Sequence, residues 1–199
     1  MDLHRISVKY FVEERAGIDL PGLISVFHGW IQRSTVPGML IDVADYQHMA
    51  DGPAVVLVGH DVEYAFHLGQ AGAGLMHTRK RGMTGDAREV LASLFRAALI
   101  AARTLEQEPA FKGRVRFRTD AAQLIVPDRL RMPNNDQSFQ KMQSDVDGFL
   151  KLLYEGLNVA TQRDTIDPRC CFAMQITAVG APDLNTLIQR IVAKFPAAG

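Results

Sequence analysis

Ile6, Val8, Tyr10 and Val12 alternate with Ser7, Lys9 and Glu13, so the chain opens with a strand that buries one face and wets the other. Asp19 before Leu20-Pro21 suits a helix start, and Leu20, Leu23, Ile24, Phe27 and Ile31 recur at helical spacing to about Ser34. His28 and Trp30 fall off that stripe and read as a partly exposed pair. Residues 39 to 48 and 54 to 60 read as strands joined by the turn Asp51-Gly52-Pro53, hence antiparallel neighbours. The run Ala54 to Val58 is apolar without alternation, as in a central strand covered on both faces. Gly59 marks a bulge, Val62 to Leu68 continues the pairing, Gly69 to Gly74 is a loop, and Leu75 to Lys80 is a further strand.

Asp86 with Glu89 forms a capping box for a long helix over 87 to 108. Val90, Leu91, Leu94, Phe95, Ala98, Leu99, Ala102 and Leu105 give it a wide apolar face. Glu89, Ser93, Arg96, Arg103 and Gln107 form the solvent line opposite. Arg114 to Thr119 and Gln123 to Val126 read as two arms of a hairpin, followed by an extended stretch to Pro133. Asn134 with Gln137 opens a helix carrying Phe139, Met142, Val146, Phe149, Leu150 and Leu153, which Gly156 stops. A strand at Val159 to Arg163, a strand at Cys170 to Ala178 and a helix from Asp183 to Phe195 complete the order.

This succession makes an α+β protein, with a largely antiparallel or mixed sheet of about six to eight strands against four helices. At 199 residues one domain is expected. The alternation of strand groups and helices suggests two similar halves meeting near residue 112, although no residue-level repeat accompanies it.

Composition narrows the function classes. The content is 47% hydrophobic and 22% charged, with no apolar run of membrane-spanning length, and the charged N-terminus lacks an export signal, so a soluble cytoplasmic protein is expected. Lys plus Arg and Asp plus Glu number 22 each, which makes no case for nucleic acid or an anionic membrane. The distribution is uneven. Residues 34 to 78 hold no Lys or Arg but Asp42, Asp45, Asp51, Asp61 and Glu63, whereas 79 to 131 hold twelve basic side chains against six acidic. Cys170 and Cys171 are adjacent and read as reduced, ordinarily packed thiols on opposite faces of a strand.

Three sets of residues are candidates for chemistry. On a regular strand Asp42, Tyr46 and His48 share one face and Asp45 lies on the other, with His60 within cross-strand reach of His48 or Tyr46. Imidazole beside carboxylate serves as a proton shuttle or a metal site. No HExxH or other ligand rhythm is present, so no metal is assigned; a metal-dependent hydrolase needs three of His48, His60, His67, His77, Asp42, Asp45, Asp61 and Glu63 to converge. Arg79-Lys80-Arg81, followed by Gly82, Thr84 and Gly85 before the long helix, offers an anion-binding entry without being a P-loop. Arg114, Arg116 and Arg118 align on one face of a strand and suit an anionic ligand or the acidic segment of another copy. No nucleophile elbow, kinase, zinc or calcium signature is present.

The leading expectation is a self-associating protein that binds a small anionic ligand between its histidine-bearing strands and its basic segment. His60 or His48 would act as acid or base, Asp45 or Asp42 would orient it, Tyr46 would stand beside it, and Arg79, Arg81, Arg116 or Arg118 would hold the ligand. The rival is a non-catalytic interaction protein whose acidic and basic faces mate between copies. No cofactor is indicated.

Overall fold

The computed structural model describes residues 4–14, 18–49, 52–69, 72–81, 83, 85–165 and 167–196. The elements are β1 (Ile6–Val12), α1 (Leu20–Arg33), β2 (Leu40–Asp45), β3 (Pro53–Gly59), β4 (Val62–His67), β5 (Gly74–Arg79), α2 (Ala87–Gln107), β6 (Phe117–Val126), α3 (Asp136–Leu153), β7 (Val159–Arg163), β8 (Phe172–Ala178) and α4 (Leu184–Lys194). The strands form one eight-stranded sheet in the order β2-β3-β4-β5-β1-β6-β8-β7. Every neighbouring pair is antiparallel, which with the four helices makes an α+β fold.

One alternating set of strand residues, including Val8, Tyr10, Val55, Leu57, Tyr64, Leu75, Leu124 and Met174, joins helix side chains in a single core cluster. The helices therefore all lie on one face. α2 spans the middle of the sheet, against β1, β5 and β6, while α1 covers β2 and β3 and α3 covers β7. Its start is fixed as the sequence suggests: Asp86 accepts from the Glu89 amide at 2.9 Å, and the Glu89 carboxylate accepts from the Asp86 amide at 3.0 Å.

Several expectations are corrected. β3 lies next to an edge rather than at the centre, and helices cover only its Val55 and Leu57 face. Ala54 and Val56 are nevertheless buried on the other face, where small side chains are screened by the flanking strands. Gly59 is not itself the bulge, which lies opposite between Leu40 and Asp42; a Cβ at Gly59 would sit 2.8 Å from the Met39 carbonyl, so backbone approach requires the glycine. The supposed wet face of β1 is closed, Ser7 and Lys9 being buried, with Lys9 Nζ donating to the Gly72 carbonyl at 2.6 Å.

Trp30 is buried, because its indole N–H reaches the Glu108 carboxylate at 2.7 Å; His28 stays exposed. The expected hairpin at 114 to 126 is one strand, β6, kinked against β1 where the register shifts between Tyr10 and Val12. α3 is capped by Asn135 rather than Asn134, whose buried amide instead donates to the carbonyls of Thr165 and Asp167. Cys170 and Cys171 precede β8 and are exposed free thiols, so the strand-based packing read for them does not hold.

Candidate functional site

The residues expected to cluster are divided between the two ends of β3. β2 stops at Asp45, and the Tyr46 amide donates to Ala54 at the start of β3, leaving Tyr46 and His48 in the connecting turn with ring centroids 6.3 Å apart. His60 follows the far end of β3, where its amide donates to Met39. A seven-residue strand spans about 20 Å, so His60 reaches neither Tyr46 nor His48. Asp42 and Asp45 are exposed and accept from nearby backbone amides, those of Val43 and Gln47. The carboxylate that orients His60 is Asp61, with Nδ1 and Oδ1 2.9 Å apart and both side chains about half exposed. Among the described residues no three His, Cys, Asp or Glu side chains are grouped to hold a metal ion.

The basic candidates also separate. Arg79 pairs with Ile6 at one end of β1, whereas Phe117 pairs with Val12 at the other. Arg116 and Arg118 therefore lie across the sheet from Arg79. Arg118 is taken up by Asp120 in two bonds of 3.0 Å, Arg116 is exposed just before β6, and Arg81 is exposed beyond β5. Gly82 and Thr84 of the proposed anion-binding entry, Asp51 of the first turn, and Gln70 and Ala71 of the glycine-rich loop lie outside the described residues.

What the fold does assemble is a cleft of about 260 Å³ on the helical face, between the C-terminal end of β5, the first half of α2 and two connecting turns. β5 contributes His77 and Arg79, two residues apart and so on one face of the strand. α2 contributes Ser93, Arg96 and Ala97, with Ser93 and Arg96 one turn apart. Pro37 and Gly38 form one wall, held by the Tyr64 hydroxyl donating to the Pro37 carbonyl at 2.7 Å, and Asp61 and Val62 form the mouth.

Arg79 joins sheet to helix by donating to the Ser93 hydroxyl at 2.7 Å. Arg96 donates through its terminal nitrogen to the Phe195 carbonyl at the end of α4, while its buried Nε has no hydrogen-bond partner among the described residues. His77 is almost wholly buried, its ring 4.6 Å from that of Tyr64, and its Nδ1 is likewise unpartnered. Burial pushes the His77 pKa down to about 3, the Arg79 charge acts in the same direction, and a backbone hydrogen bond with Glu63 opposes both. At neutral pH the ring is therefore uncharged.

The cleft brings two guanidinium groups, a hydroxyl and a neutral imidazole around one cavity, with Asp61 as the one carboxylate among its lining residues. Such an arrangement is chemically able to hold a small anion by charge-assisted bonds. Ser93 accepts from Arg79, and among the described residues no hydrogen bond joins its hydroxyl to a base that would activate it as a nucleophile. Of the residues expected to hold a ligand or act on it, Arg79 alone lines this cleft, together with His77 and Asp61 from the set named for a metal-dependent hydrolase. Ser93 and Arg96, which the helical wheel assigns to solvent, line the cleft, because a wheel does not show that this side of α2 lies beside the end of β5. Comparison with known proteins finds no matching family model and no similar curated protein or solved structure.

Proposed function

We propose that this protein binds a small anionic ligand in the cleft between β5 and α2. The observation that carries the reading is the convergence of Arg79 and Arg96, from different elements, on one cavity with two buried nitrogens that lack partners. The volume suits a compact molecule, since liquid water occupies about 30 Å³ per molecule and the cavity is close to the lower end of ligand-site sizes. Asp61 lines the cleft and pairs with the half-exposed His60, which supports a contact between this pair and the part of a ligand that projects from the cleft. Calorimetric titration with inorganic phosphate at low ionic strength tests the reading. Saturable one-site binding that Arg96→Gln weakens at least about ten-fold is expected; equal heats from both proteins would refute it.

A second reading, self-association, rests on the edge strand β2. Ile41 is 58% exposed on it and Met39, just before it, 70%, beside the exposed carboxylates of Asp42 and Asp45. An edge of this kind suits a second copy whose exposed Arg114 and Arg116 complement the acids. Sedimentation at low and high salt tests it. A complex that dissociates as salt rises supports the pairing, and a monomer under both conditions rules it out.

A further inference from the structure

Free cysteine is among the most buried of residue types, yet both cysteines of this chain, Cys170 and Cys171, are exposed. They are neighbours in the turn that leads into β8, outside the β6–β8 ladder, which begins at this end with Phe172 against Val126. The Cys170 amide donates to the Asp167 carbonyl at 3.1 Å and closes the turn. No strand geometry therefore drives the two side chains to opposite faces. The two sulfurs differ in their surroundings. Cys171 Sγ donates to the Pro127 carbonyl at 3.7 Å and, as the donor, carries its proton, whereas no hydrogen bond engages Cys170 Sγ among the described residues. Two cations stand at the Cys170 side. Arg169 precedes it, held by Asp167 at 2.8 to 3.1 Å, and Arg129 donates to the Arg169 carbonyl at 2.6 Å. The thiolate is the nucleophilic form of cysteine, and an exposed sulfur beside guanidinium groups is the setting in which it attacks.

We propose that Cys170 and Cys171 form a redox-modification site, at which a hydroperoxide closes a disulfide between the two neighbours and a small thiol reopens it. Neither residue lines the cleft, so the proposal stands apart from anion binding. The Cys170 thiolate attacks one peroxide oxygen: an S–O bond forms, the O–O bond breaks, and the departing oxygen takes a proton from solvent to leave as water or an alcohol. Cys171 then attacks the sulfenic sulfur. The S–S bond forms, the S–O bond breaks, and hydroxide leaves with the Cys171 proton as water. The sulfurs together lose two electrons, and the peroxide gains them. Neighbouring Cα atoms lie only about 3.8 Å apart, below the roughly 4.4 to 6.8 Å usual across a disulfide, so the closed ring is strained and easily reduced. Strained, exposed disulfides are the labile, regulatory kind rather than the kind that staples a fold.

The test treats the reduced full chain with about one equivalent of hydrogen peroxide and reads its intact mass and its mobility on a non-reducing gel. The expected product is a monomer lighter by two hydrogens, which dithiothreitol restores to the starting mass. In Cys171→Ser the reaction is expected to stop at a sulfenic acid on Cys170, captured by a cyclic diketone, whereas Cys170→Ser should lose most of the rate of peroxide consumption. A chain whose two thiols both remain titratable after the treatment overturns the proposal. So does a disulfide-linked dimer as the product, or a chain that gains oxygen on both sulfurs without losing the two hydrogens. Equal rates in the two variants overturn the roles given to the two sulfurs. The mass of the unaltered chain decides whether the ring closes even if a variant does not fold.

Discussion

The sheet divides at the β1–β6 junction into two units with the same order of events. In the first, β1 is followed by α1, the meander β2 to β5, and α2; in the second, β6 is followed by α3, the hairpin β7–β8, and α4. In each unit the first strand pairs antiparallel with the last, β1 with β5 and β6 with β8. The contrast lies in what the ends of the two last strands carry. The end of β8 carries Met174, Ile176 and Ala178, all buried apolar and in one core cluster with Leu187, Ile188 and Ile191 of α4. The end of β5 offers His77 and Arg79 to Ser93 and Arg96. The same order of elements thus ends once in apolar core and once beside a polar cleft. Unpartnered buried nitrogens weaken a fold, and of the three among the described residues two, His77 Nδ1 and Arg96 Nε, belong to residues that line the cleft, the third being His67 Nε2.

Exchanging chemistry between the two units gives the largest effect. Ile176 stands two residues from the end of β8, as His77 does from the end of β5. Ile176→His places an imidazole among buried apolar side chains and is expected to cost about 2 to 4 kcal/mol in urea unfolding. The reverse substitution, His77→Phe, is expected to change stability by less than about 1 kcal/mol, because one of the two bonding positions it removes is already unsatisfied. Equal losses from the two would erase the distinction.

The next effect depends on pH. His77 in the native protein titrates near 3 and His67, which burial lowers and Lys9 lowers further, near 4, against 6.5 for the free side chain. Below 6.5 the unfolded chain binds protons that the native chain refuses. Stability should therefore hold above about pH 6.5 and fall as pH drops, by about 1.4 kcal/mol per unit for each histidine, until the native pKa values are reached. His77→Phe should remove its share of that slope in unfolding curves recorded from pH 7 to 5.

Smaller effects follow from single contacts. Trp30→Phe keeps the buried ring but removes the bond to Glu108, which retains Arg33 at 3.4 Å; a loss of about 1 kcal/mol is expected from thermal unfolding. Arg118→Ala breaks an exposed pair with Asp120 and should cost less than about 1 kcal/mol, with that cost vanishing in high salt.

The fold was largely legible in the sequence because each helix carries its own signals. The Asp86–Glu89 box and the apolar stripe of α2 are local, and so is the alternation of β1. Strand order is not local. The apolar run at Ala54 to Val58 was read as central because burial by flanking strands and burial by helices leave the same composition behind. The β6 region was read as a hairpin because its kink against β1 interrupts the alternation without turning the chain. The site was legible only in part. His60 and His48 drew attention through their neighbours in sequence, yet β3 holds them apart. Arg79 was recognised from its charge, whereas Arg96 required knowing which side of α2 lies over the cleft and where α4 ends. Lys9 shows the same limit: one lysine in an alternating strand signals solvent, but here burial lowers its pKa to about 8, with the Asp164 charge opposing.

The central claim is that an anion occupies the cleft against His77 and Arg96, and the most direct measurement observes the imidazole itself. Long-range proton–nitrogen spectra of uniformly ¹⁵N-labelled protein at pH 8, recorded through a phosphate titration, report the state of His77 Nδ1. A His77 ring resonance that moves progressively and saturably as phosphate is added is expected, with Arg96→Gln shifting the midpoint to higher concentration. A His77 resonance that stays fixed throughout would contradict anion binding in the cleft.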